Sequence, residues 1–255
     1  MKHVKAKKYL GQHFLNNDTI SESIVSLINS NTEFVMEVGP GMGALTKHLI
    51  KKNWNFEIIE IDKESISYLE TKYPEIKRNI VKGDFLKLDL KDYSKKISIV
   101  GNFPYNISNQ ILYKIYENNN QVKEVIGMFQ KEVAERITAK SGRKKGILSI
   151  LIQTFYDTKY CFTVKNDSFS PKPKVESAVI KLNRNNRNML ICDNNLFVKI
   201  IKASFNQRRK TLRNALKSFS LENELKELNF SRKRAEELSV EDFINLTNLC
   251  QKRIK

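Results

Sequence analysis

The amino-acid sequence predicts an α/β fold, in which a doubly wound and mostly parallel sheet is followed by a small all-helical C-terminal domain. From residue 18 to residue 185, short apolar runs alternate with stretches whose apolar residues recur at helical spacing. The first apolar run ends at a glycine-rich turn, residues 39–43, which is typical of a parallel strand that leads into a helix. Residues 186–255 show helical patterns only, and a basic tail, residues 1–17, precedes the alternating region.

The elements of the alternating region can be predicted in order. Short apolar runs predict strands at Phe34–Val38, Phe56–Ile61, Asn79–Lys82, Ile97–Gly101 and Glu124–Phe129. Helical spacing predicts helices at Ala44–Lys52, Lys63–Lys72, Asn109–Glu117, Lys131–Thr138 and Ile147–Phe155. Two further β-rich runs, Tyr160–Val164 and Val175–Leu182, are expected to pair as a hairpin. In a sheet of this kind, ligands bind outside the carboxyl ends of the strands.

The balance of charge predicts a polyanionic partner. Lys and Arg number 45 against 28 Asp and Glu, which gives a formal net charge of +17. Seven basic residues and no acidic residue lie between Lys199 and Lys217, and the tail adds Lys2, Lys5, Lys7 and Lys8. A generally basic proteome would also raise the net charge, but clustering of this kind favours contact with nucleic-acid phosphates.

Membrane and metal functions are not expected. No apolar stretch approaches the roughly 18 residues of a membrane span, and the N-terminal residues contain no apolar signal-peptide core. A cytoplasmic location is therefore predicted. Cys161, Cys192 and Cys250 form no CxxC pair, and only three histidines accompany them, so we expect reduced thiols and no metal ion.

Landmark residues follow four of the predicted strands and predict a nucleoside pocket. Gly39 and Gly41 open the first turn, but the GxGxG spacing and Pro40 suit a pyrophosphate poorly, which favours a cofactor without phosphates. Glu60 is placed to accept both hydroxyls of a ribose, although a solvated strand-end acid is the alternative. Asp84 is placed to accept from an adenine amino group while Phe85 packs against the ring.

The tetrapeptide Asn102-Phe103-Pro104-Tyr105 predicts methyl transfer to the exocyclic amine of adenine. Such an amine is a poor nucleophile because its lone pair is delocalised into the ring. Hydrogen bonds to the Asn102 side-chain oxygen and the Pro104 carbonyl would favour a pyramidal nitrogen. Tyr105 would stack on an extruded base. The alternative is that the tetrapeptide only forms a turn, and its position after the fourth strand argues against that.

On these residues the sequence resembles the ribosomal RNA adenine dimethyltransferase family, and in particular its bacterial 16S members. The matching segments are collinear and span nearly the whole chain. They are KKYLGQHFL (7–15), EVGPGMGALT (37–46), EID (60–62), GDFL (83–86), GNFPYNIS (101–108), MFQKEVAERI (128–137), FSPKPKVESAVIKL (169–182) and FNQRRKTLRNAL (205–216).

The resemblance implies a Rossmann-like core that uses S-adenosylmethionine and a small helical C-terminal domain. It implies transfer of two methyl groups to each of two adjacent adenosines in the 3′-terminal hairpin loop of 16S rRNA, within the small ribosomal subunit. A monomer is expected. By the family pattern, the residues that would line the cofactor site are His13, Leu15, Gly39, Glu60, Asp84 and Asn102.

The resemblance also bears on the role of Phe169, on two departures from the family pattern and on one basic segment. Phe169 would offer the target base a second aromatic face opposite Tyr105, or would only anchor its loop. The family usually has Asn where this chain has His13, so a backbone or ring contact must replace the amide, and NFPY replaces the usual NLPY.

The segment FNQRRKTLRNAL distinguishes the chain from the related 23S enzymes. The cations of this segment are Arg208, Arg209, Lys210 and Arg213. They would bind rRNA phosphates, and the alternative is that they only form a solvated helix face.

Two other functions compete with this one. A non-enzymatic RNA-binding assembly factor would account for the net charge, but Asn102, Pro104 and Tyr105 are all retained here, whereas erosion of these acceptor residues is expected in such a protein. A DNA adenine methyltransferase could share the same chemistry, but the C-terminal region is small for a domain that reads DNA sequence.

Overall fold

The computed structural model describes residues 4–187 and 192–254, and these contain a seven-stranded sheet and a two-stranded sheet. The seven strands lie in the order β4-β3-β2-β5-β6-β9-β7. From β4 to β6 all neighbours are parallel, and β9 is antiparallel to β6. The strands are β1 Phe14–Leu15, β2 Phe34–Val38, β3 Asn55–Glu60, β4 Ile80–Lys82, β5 Ile97–Asn102, β6 Val122–Gln130, β7 Tyr156–Val164, β8 Phe169–Ser170 and β9 Ser177–Arg184.

Helices follow or connect the strands and fill the C-terminal region. Asn17 caps α1 by accepting a hydrogen bond from the Ile20 amide, and Asp62 caps α3 through the Glu64 amide. The helices are α1 Asp18–Ser26, α2 Thr46–Leu49, α3 Lys63–Lys72, α4 Ser108–Glu117, α5 Lys131–Thr138, α6 Ile147–Phe155, α7 Asn194–Asn206, α8 Leu212–Ala215, α9 Glu222–Glu227 and α10 Val240–Ile254. Among these helices, none is long and apolar enough to cross a membrane.

The predicted α/β fold is confirmed, with local differences. The predicted helix 44–52 is shorter, because Gly43 stands at φ +79° and the chain turns until Thr46. The strands β1 and β8 were not predicted, and they pair with each other antiparallel. Residues 188–191, near the start of the predicted C-terminal domain, lie outside the described residues, as does Lys2 of the tail.

The strand order places a ligand crevice at the carboxyl end of β2. The chain runs from β2 outward to β3 and β4, then returns to the other side of β2 with β5. Helical crossovers therefore diverge between β2 and β5, which is the topological switch point where doubly wound sheets bind ligands. The strands beneath this point are buried on both faces, with Val35, Met36 and Ile99 fully inaccessible to solvent.

The described chain divides into two compact units whose boundary differs from the prediction. The first comprises Met1–Ala134 and Asp157–Arg184, and the second comprises Glu135–Tyr156 and Asn185–Lys255. The prediction assigned all of residues 18–185 to the core and 186–255 to the C-terminal domain. Helix α6 belongs instead to the second unit, because its buried apolar residues pack against α7 and α10.

Candidate active site

A cavity opens at the carboxyl ends of β2, β3 and β5 in the first unit. Its walls are formed by the strand ends, by the turns that follow them and by the N-terminal segment 9–15. Every residue predicted to bind the cofactor lines it, and so do three of the four predicted catalytic residues, of which Asn102 belongs to both groups. These are His13, Leu15, Gly39, Gly41, Glu60, Asp84, Phe85 and Asn102, with Pro104 and Tyr105.

The glycine turn after β2 depends on Gly41. Its φ of +55° lies in the left-handed region that disfavours other residues. A Cβ added there would lie 2.9 Å from the Phe14 ring. The Gly41 amide donates to Glu60 Oε2 at 3.1 Å, so the turn is tied to the end of β3. The absence of a side chain is what lets the N-terminal segment pass directly over this turn.

Glu60 is a buried carboxylate held by three backbone amides. Oε1 accepts from Ile61 and Asp62, each at 2.9 Å, and Oε2 accepts from Gly41. Burial raises the pKa of Glu60, and these hydrogen bonds counteract part of that shift. Because a carboxylate oxygen has two acceptor positions, Oε2 retains one for a hydroxyl in the cavity.

Glu37 also lines the cavity, and the sequence analysis did not assign it a role. Its side chain is 1% exposed, and Oε2 accepts from the Thr46 hydroxyl at 2.7 Å. Burial raises the pKa of Glu37 to about 8, and the negative charge of Glu60 acts in the same direction. An acidic residue within an otherwise apolar strand, just before the glycine turn, was the signal that could have revealed it.

Asp84 and Phe85 follow β4 and complete this side of the cavity. Asp84 Oδ1 accepts from the Leu86 amide at 2.9 Å and caps a short helical turn. Phe85 is 4% exposed, with the Lys114 ammonium 5.6 Å from its ring centre. The turn therefore fixes both the carboxylate and the ring at the positions that the sequence suggested for them.

Asn102 ends β5, and its side-chain amide has a defined orientation. Nδ2 donates to the His13 carbonyl at 2.8 Å. Because a carbonyl can only accept, the amide nitrogen must face His13, and Oδ1 is the atom available to a donor in the cavity. No described residue donates to Oδ1. This contact uses the main chain of residue 13 and does not depend on the His13 side chain.

The predicted acceptor role of the Pro104 carbonyl is not supported. That oxygen already accepts from the Ile107 amide at 3.2 Å and from the Ser108 hydroxyl at 3.1 Å. Two donors fill the two lone pairs of a carbonyl oxygen. The preceding Phe103 carbonyl has no donor among the described residues, while the Phe103 amide donates to Met128 at 3.2 Å. The residue type at position 103 gave no signal of this, because the acceptor belongs to the main chain.

Tyr105 is fixed at both of its ends. Its hydroxyl shares a 2.5 Å hydrogen bond with Ser177, and its ring lies 5.3 Å from the His13 ring, tilted by 30°. His13 Nδ1 donates in turn to the Pro171 carbonyl at 2.7 Å. Burial raises the pKa of the Tyr105 hydroxyl. A half-buried ring with a single defined orientation suits stacking against a flat ligand.

Phe169, predicted as a second aromatic face, does not line this cavity. It is 3% exposed and belongs to a core cluster that includes Leu15, Val164 and Val179. Its strand pairs with β1, opposite Leu15. The apolar ring is withdrawn into the core by this pairing, so the alternative role as a loop anchor agrees with its position.

The basic tail is attached to the rim of the cavity. Lys7 forms an ion pair with Asp62 and another with Glu64 at 3.0 Å. Gln12 Nε2 donates to Asp62 Oδ2 at 3.1 Å, and the Tyr9 carbonyl accepts from Asn106 at 3.1 Å. Lys7 was predicted to contact phosphate, and its charge is instead neutralised by these carboxylates.

The cations predicted to bind RNA differ in their surroundings within the second unit. Arg208 donates to the carbonyls of Arg143 and Lys145, at 2.5 and 2.8 Å. Arg209 and Lys210 are exposed. Arg213 lines a second cavity together with Thr211, Asn214, Lys217, Glu222, Ser231 and Arg232.

Comparison with known proteins identifies the family. The sequence pattern of the family described as ribosomal RNA adenine dimethylase matches residues 3–252. The chain belongs to this family. The ribosomal RNA small subunit methyltransferase A of Cytophaga hutchinsonii is 53% identical over 98% of this chain and 98% of its own. The protein of the same name from Flavobacterium johnsoniae is 50% identical over 97% and 96%.

Solved structures show the same fold. A dimethyladenosine transferase from Plasmodium falciparum has a TM-score of 0.80 at 25% identity and covers 94% of this chain and 98% of its own. The 23S rRNA methyltransferase ErmE has a TM-score of 0.72 at 21% identity, with 93% and 99% covered. Family membership confirms the predicted S-adenosylmethionine-dependent enzyme that dimethylates adenine in ribosomal RNA.

The residues of the ribosomal RNA adenine dimethylase site fit S-adenosylmethionine. The cofactor has no phosphate, and the turn after β2 contains Pro40, which offers no amide donor. S-adenosylmethionine carries a sulfonium and an ammonium group. Three carboxyl groups line the cavity, those of Glu37, Glu60 and Asp84. Its ribose and adenine supply the donors that carboxylates at strand ends accept.

Proposed function

We propose that this enzyme dimethylates the N6 amines of two adjacent adenosines in the 3′-terminal hairpin loop of 16S rRNA. Its substrate is the small ribosomal subunit during assembly, and it acts in the cytoplasm as a monomer. Relatives named ribosomal RNA small subunit methyltransferase A, which are 53% and 50% identical along nearly the full chain, support this target. The fixed orientation of the Asn102 amide is the observation that carries the reaction.

Asn102 Oδ1 accepts one hydrogen of the target amine in this proposal. The His13 carbonyl holds the amide nitrogen at 2.8 Å, so the acceptor oxygen does not have to reorient as the reaction proceeds. Pre-oriented dipoles of this kind stabilise charge that develops in the transition state. The amine nitrogen becomes positively charged when it attacks, and an acceptor oxygen stabilises that charge.

The second acceptor that we propose is the Phe103 carbonyl. The Pro104 carbonyl already holds two donors, whereas the Phe103 carbonyl has none among the described residues. Both acceptors then come from adjacent residues at the end of β5. Pro104, with its restricted φ, fixes the direction of the chain just beyond the Phe103 carbonyl. Two acceptors on one nitrogen favour a pyramidal amine with a localised lone pair.

The remaining residues of the cavity bind and orient. Glu60 accepts from one ribose hydroxyl through Oε2, and Asp84 accepts from the adenine amino group while Phe85 packs on the ring. When bound, S-adenosylmethionine supplies an electrophilic methyl group on a positively charged sulfur. Tyr105 stacks on the extruded target base, which is worth about 1–3 kcal/mol. Orientation of the two reactants supplies most of the rate enhancement, so no general base is needed before attack.

In this proposal, cations of the second unit bind the RNA. Arg209, Lys210 and Arg213 are exposed, and Arg213 lies in a cavity with two further cations, Lys217 and Arg232. Arg208 contributes less, because its guanidinium is bonded to two main-chain carbonyls. Phosphate contacts of this kind position the RNA without reading its sequence.

The proposal is tested by methyl transfer from labelled S-adenosylmethionine to small subunits that lack the modification. We expect incorporation of four methyl groups, with mass mapping of the rRNA placing them on two adjacent adenosines near the 3′ end. Large subunits and duplex DNA serve as control substrates. Methylation of either control in preference to small subunits would overturn the proposed target. Full incorporation by Asn102→Ala would overturn the proposed chemistry.

A further inference from the structure

The N-terminal segment 7–13, called the strap below, crosses the carboxyl edge of the sheet above the cavity. At the β3 side, Lys7 and Gln12 bind Asp62. Over β2, the Phe14 ring that follows the strap lies 2.9 Å from the position that a Cβ of Gly41 would take. At the β5 side, the His13 carbonyl accepts from Asn102. The strap therefore bridges the strand that carries Glu60 and the strand that carries Asn102.

Asp62 is the point at which the strap is fastened. Its side chain is 1% exposed and accepts from four partners: Lys7 Nζ, Gln12 Nε2, the Glu64 amide and the Ser65 hydroxyl. Burial acts to raise the pKa of Asp62, but the hydrogen bonds from its four partners together hold that pKa below its ordinary value. A buried carboxylate with this many donors strongly favours the closed position of the groups that supply them.

The geometry points to Asp62 as a positioning residue, which fastens the strap over bound S-adenosylmethionine and so sets both the affinity for the cofactor and the placement of the His13 carbonyl against Asn102. Gln12 and His13 are adjacent, so the Gln12 side chain held by Asp62 fixes the carbonyl that orients Asn102. Asn106 holds the middle of the same strap through the Tyr9 carbonyl.

A weakened fastening has a specific kinetic consequence. If the strap is closed for only a fraction of the time, the apparent dissociation constant of the cofactor rises by the inverse of that fraction. Saturating cofactor would close the strap again, so kcat changes much less than KM. Loss of overall stability would instead lower the amount of active enzyme and the melting temperature without changing KM.

The test uses the full chain and two independent variants, Asp62→Asn and Lys7→Met. Asn keeps one oxygen that can cap α3, but its amide nitrogen cannot accept a hydrogen bond, so the change weakens the contacts with both Lys7 and Gln12. Lys7 is partly exposed, and its replacement leaves the core intact. Glu70→Gln, which breaks the ion pair between Lys82 and Glu70 in the last turns of α3, is the matched control.

Binding of S-adenosylhomocysteine, measured by calorimetry, is expected to weaken about tenfold in each variant and to stay unchanged in the control. The double variant is expected to bind about as weakly as Asp62→Asn, because that change already weakens the contact with Lys7. Hydrogen exchange is expected to accelerate in residues 9–15, and kcat at saturating cofactor is expected to fall less than threefold. Equal binding by the wild type and Asp62→Asn, or fully additive effects in the double variant, would overturn the inference.

This inference rests on the proposed function, because the strap is argued to cover the cofactor of that reaction. The two fail in distinguishable ways. A wild-type chain that binds no S-adenosylhomocysteine would defeat the proposed function itself. A wild-type chain that binds it and methylates small subunits, with Asp62→Asn binding equally well, would defeat only the role of Asp62.

Discussion

The Asn102 side-chain amide donates to the His13 carbonyl at 2.8 Å, across 89 positions of sequence. This hydrogen bond joins the end of β5 to the N-terminal segment and leaves the amide oxygen as the acceptor in the cavity. Replacement of the usual Asn at position 13 by His is compatible with it, because the contact uses the main chain. The side chain of His13 has a separate role, since its ring packs against Tyr105.

Asn102→Asp and Asn102→Ala should both lower kcat by about 100-fold or more, as loss of one pre-oriented polar group commonly does. An aspartate cannot donate to the His13 carbonyl and would place a charge against it, so the conservative change is expected to be no milder than Ala. Single-turnover methyl transfer to small subunits measures this. Near-normal rates for Asn102→Asp would contradict the assigned orientation, and an unchanged melting temperature controls for folding.

Substitutions at Tyr105 should separate its ring from its hydroxyl. Tyr105→Phe removes the hydrogen bond to fully buried Ser177 and should destabilise the fold by about 1–2 kcal/mol, with kcat/KM largely retained. Tyr105→Ala also removes the stacking face and should lower kcat/KM roughly 5- to 150-fold. Denaturant unfolding and steady-state kinetics measure the two effects. Equal kinetic losses in both variants would show that the hydroxyl, and not the ring, matters.

The buried Glu37 should make the ligand-free protein less stable as pH rises. Its ordinary pKa is 4.5 and burial raises it to about 8. Between those values the folded state holds a proton that the unfolded state has lost, so the free energy of unfolding falls with increasing pH, by about 1.4 kcal/mol per unit. Glu37→Gln removes this contribution and should flatten the profile measured by urea unfolding from pH 5 to 8. Parallel profiles for the two proteins would contradict the assignment.

The cations of the second unit should divide into two groups. Arg213→Ala should weaken binding to small-subunit rRNA and reduce the slope of log affinity against log salt by about 1, as expected for one lost phosphate contact. Arg208→Ala should mainly lower the melting temperature by a few degrees, because its guanidinium bonds the carbonyls of Arg143 and Lys145. Salt titrations of RNA binding and thermal unfolding distinguish the groups. A larger change in slope for Arg208 than for Arg213 would reverse the assignment.

Phe169 should behave as a core residue. Phe169→Ala should cost about 3–5 kcal/mol of stability, whereas Phe169→Leu retains most of the apolar volume and should cost far less. Methyl transfer per folded molecule should stay within a factor of three in Phe169→Leu. A selective loss of kcat/KM in that variant, with stability preserved, would restore the role of a second stacking face.

Much of the site was predictable because it depends on local pattern and on one rule of topology. Apolar runs mark the strands, and parallel strands place their carboxyl ends at one edge, so Gly39, Glu60, Asp84 and Asn102 were expected together and are found together. The glycine turn was predictable for the same reason, since a tight turn with positive φ restricts residue type.

The alternation of elements, the residues at the strand ends and the family all follow from the order of residues along the chain. Which distant groups pair depends on how the chain folds. Lys7 was predicted to contact phosphate, but in the fold it pairs with Asp62. Phe169 was predicted as a stacking face, but its strand β8 pairs with β1. The Pro104 carbonyl was predicted to accept from the target amine, but Ser108 and Ile107 already donate to it. Periodicity and turn chemistry are encoded within a few residues, whereas burial and hydrogen-bond satisfaction depend on partners that only the folded chain brings into contact.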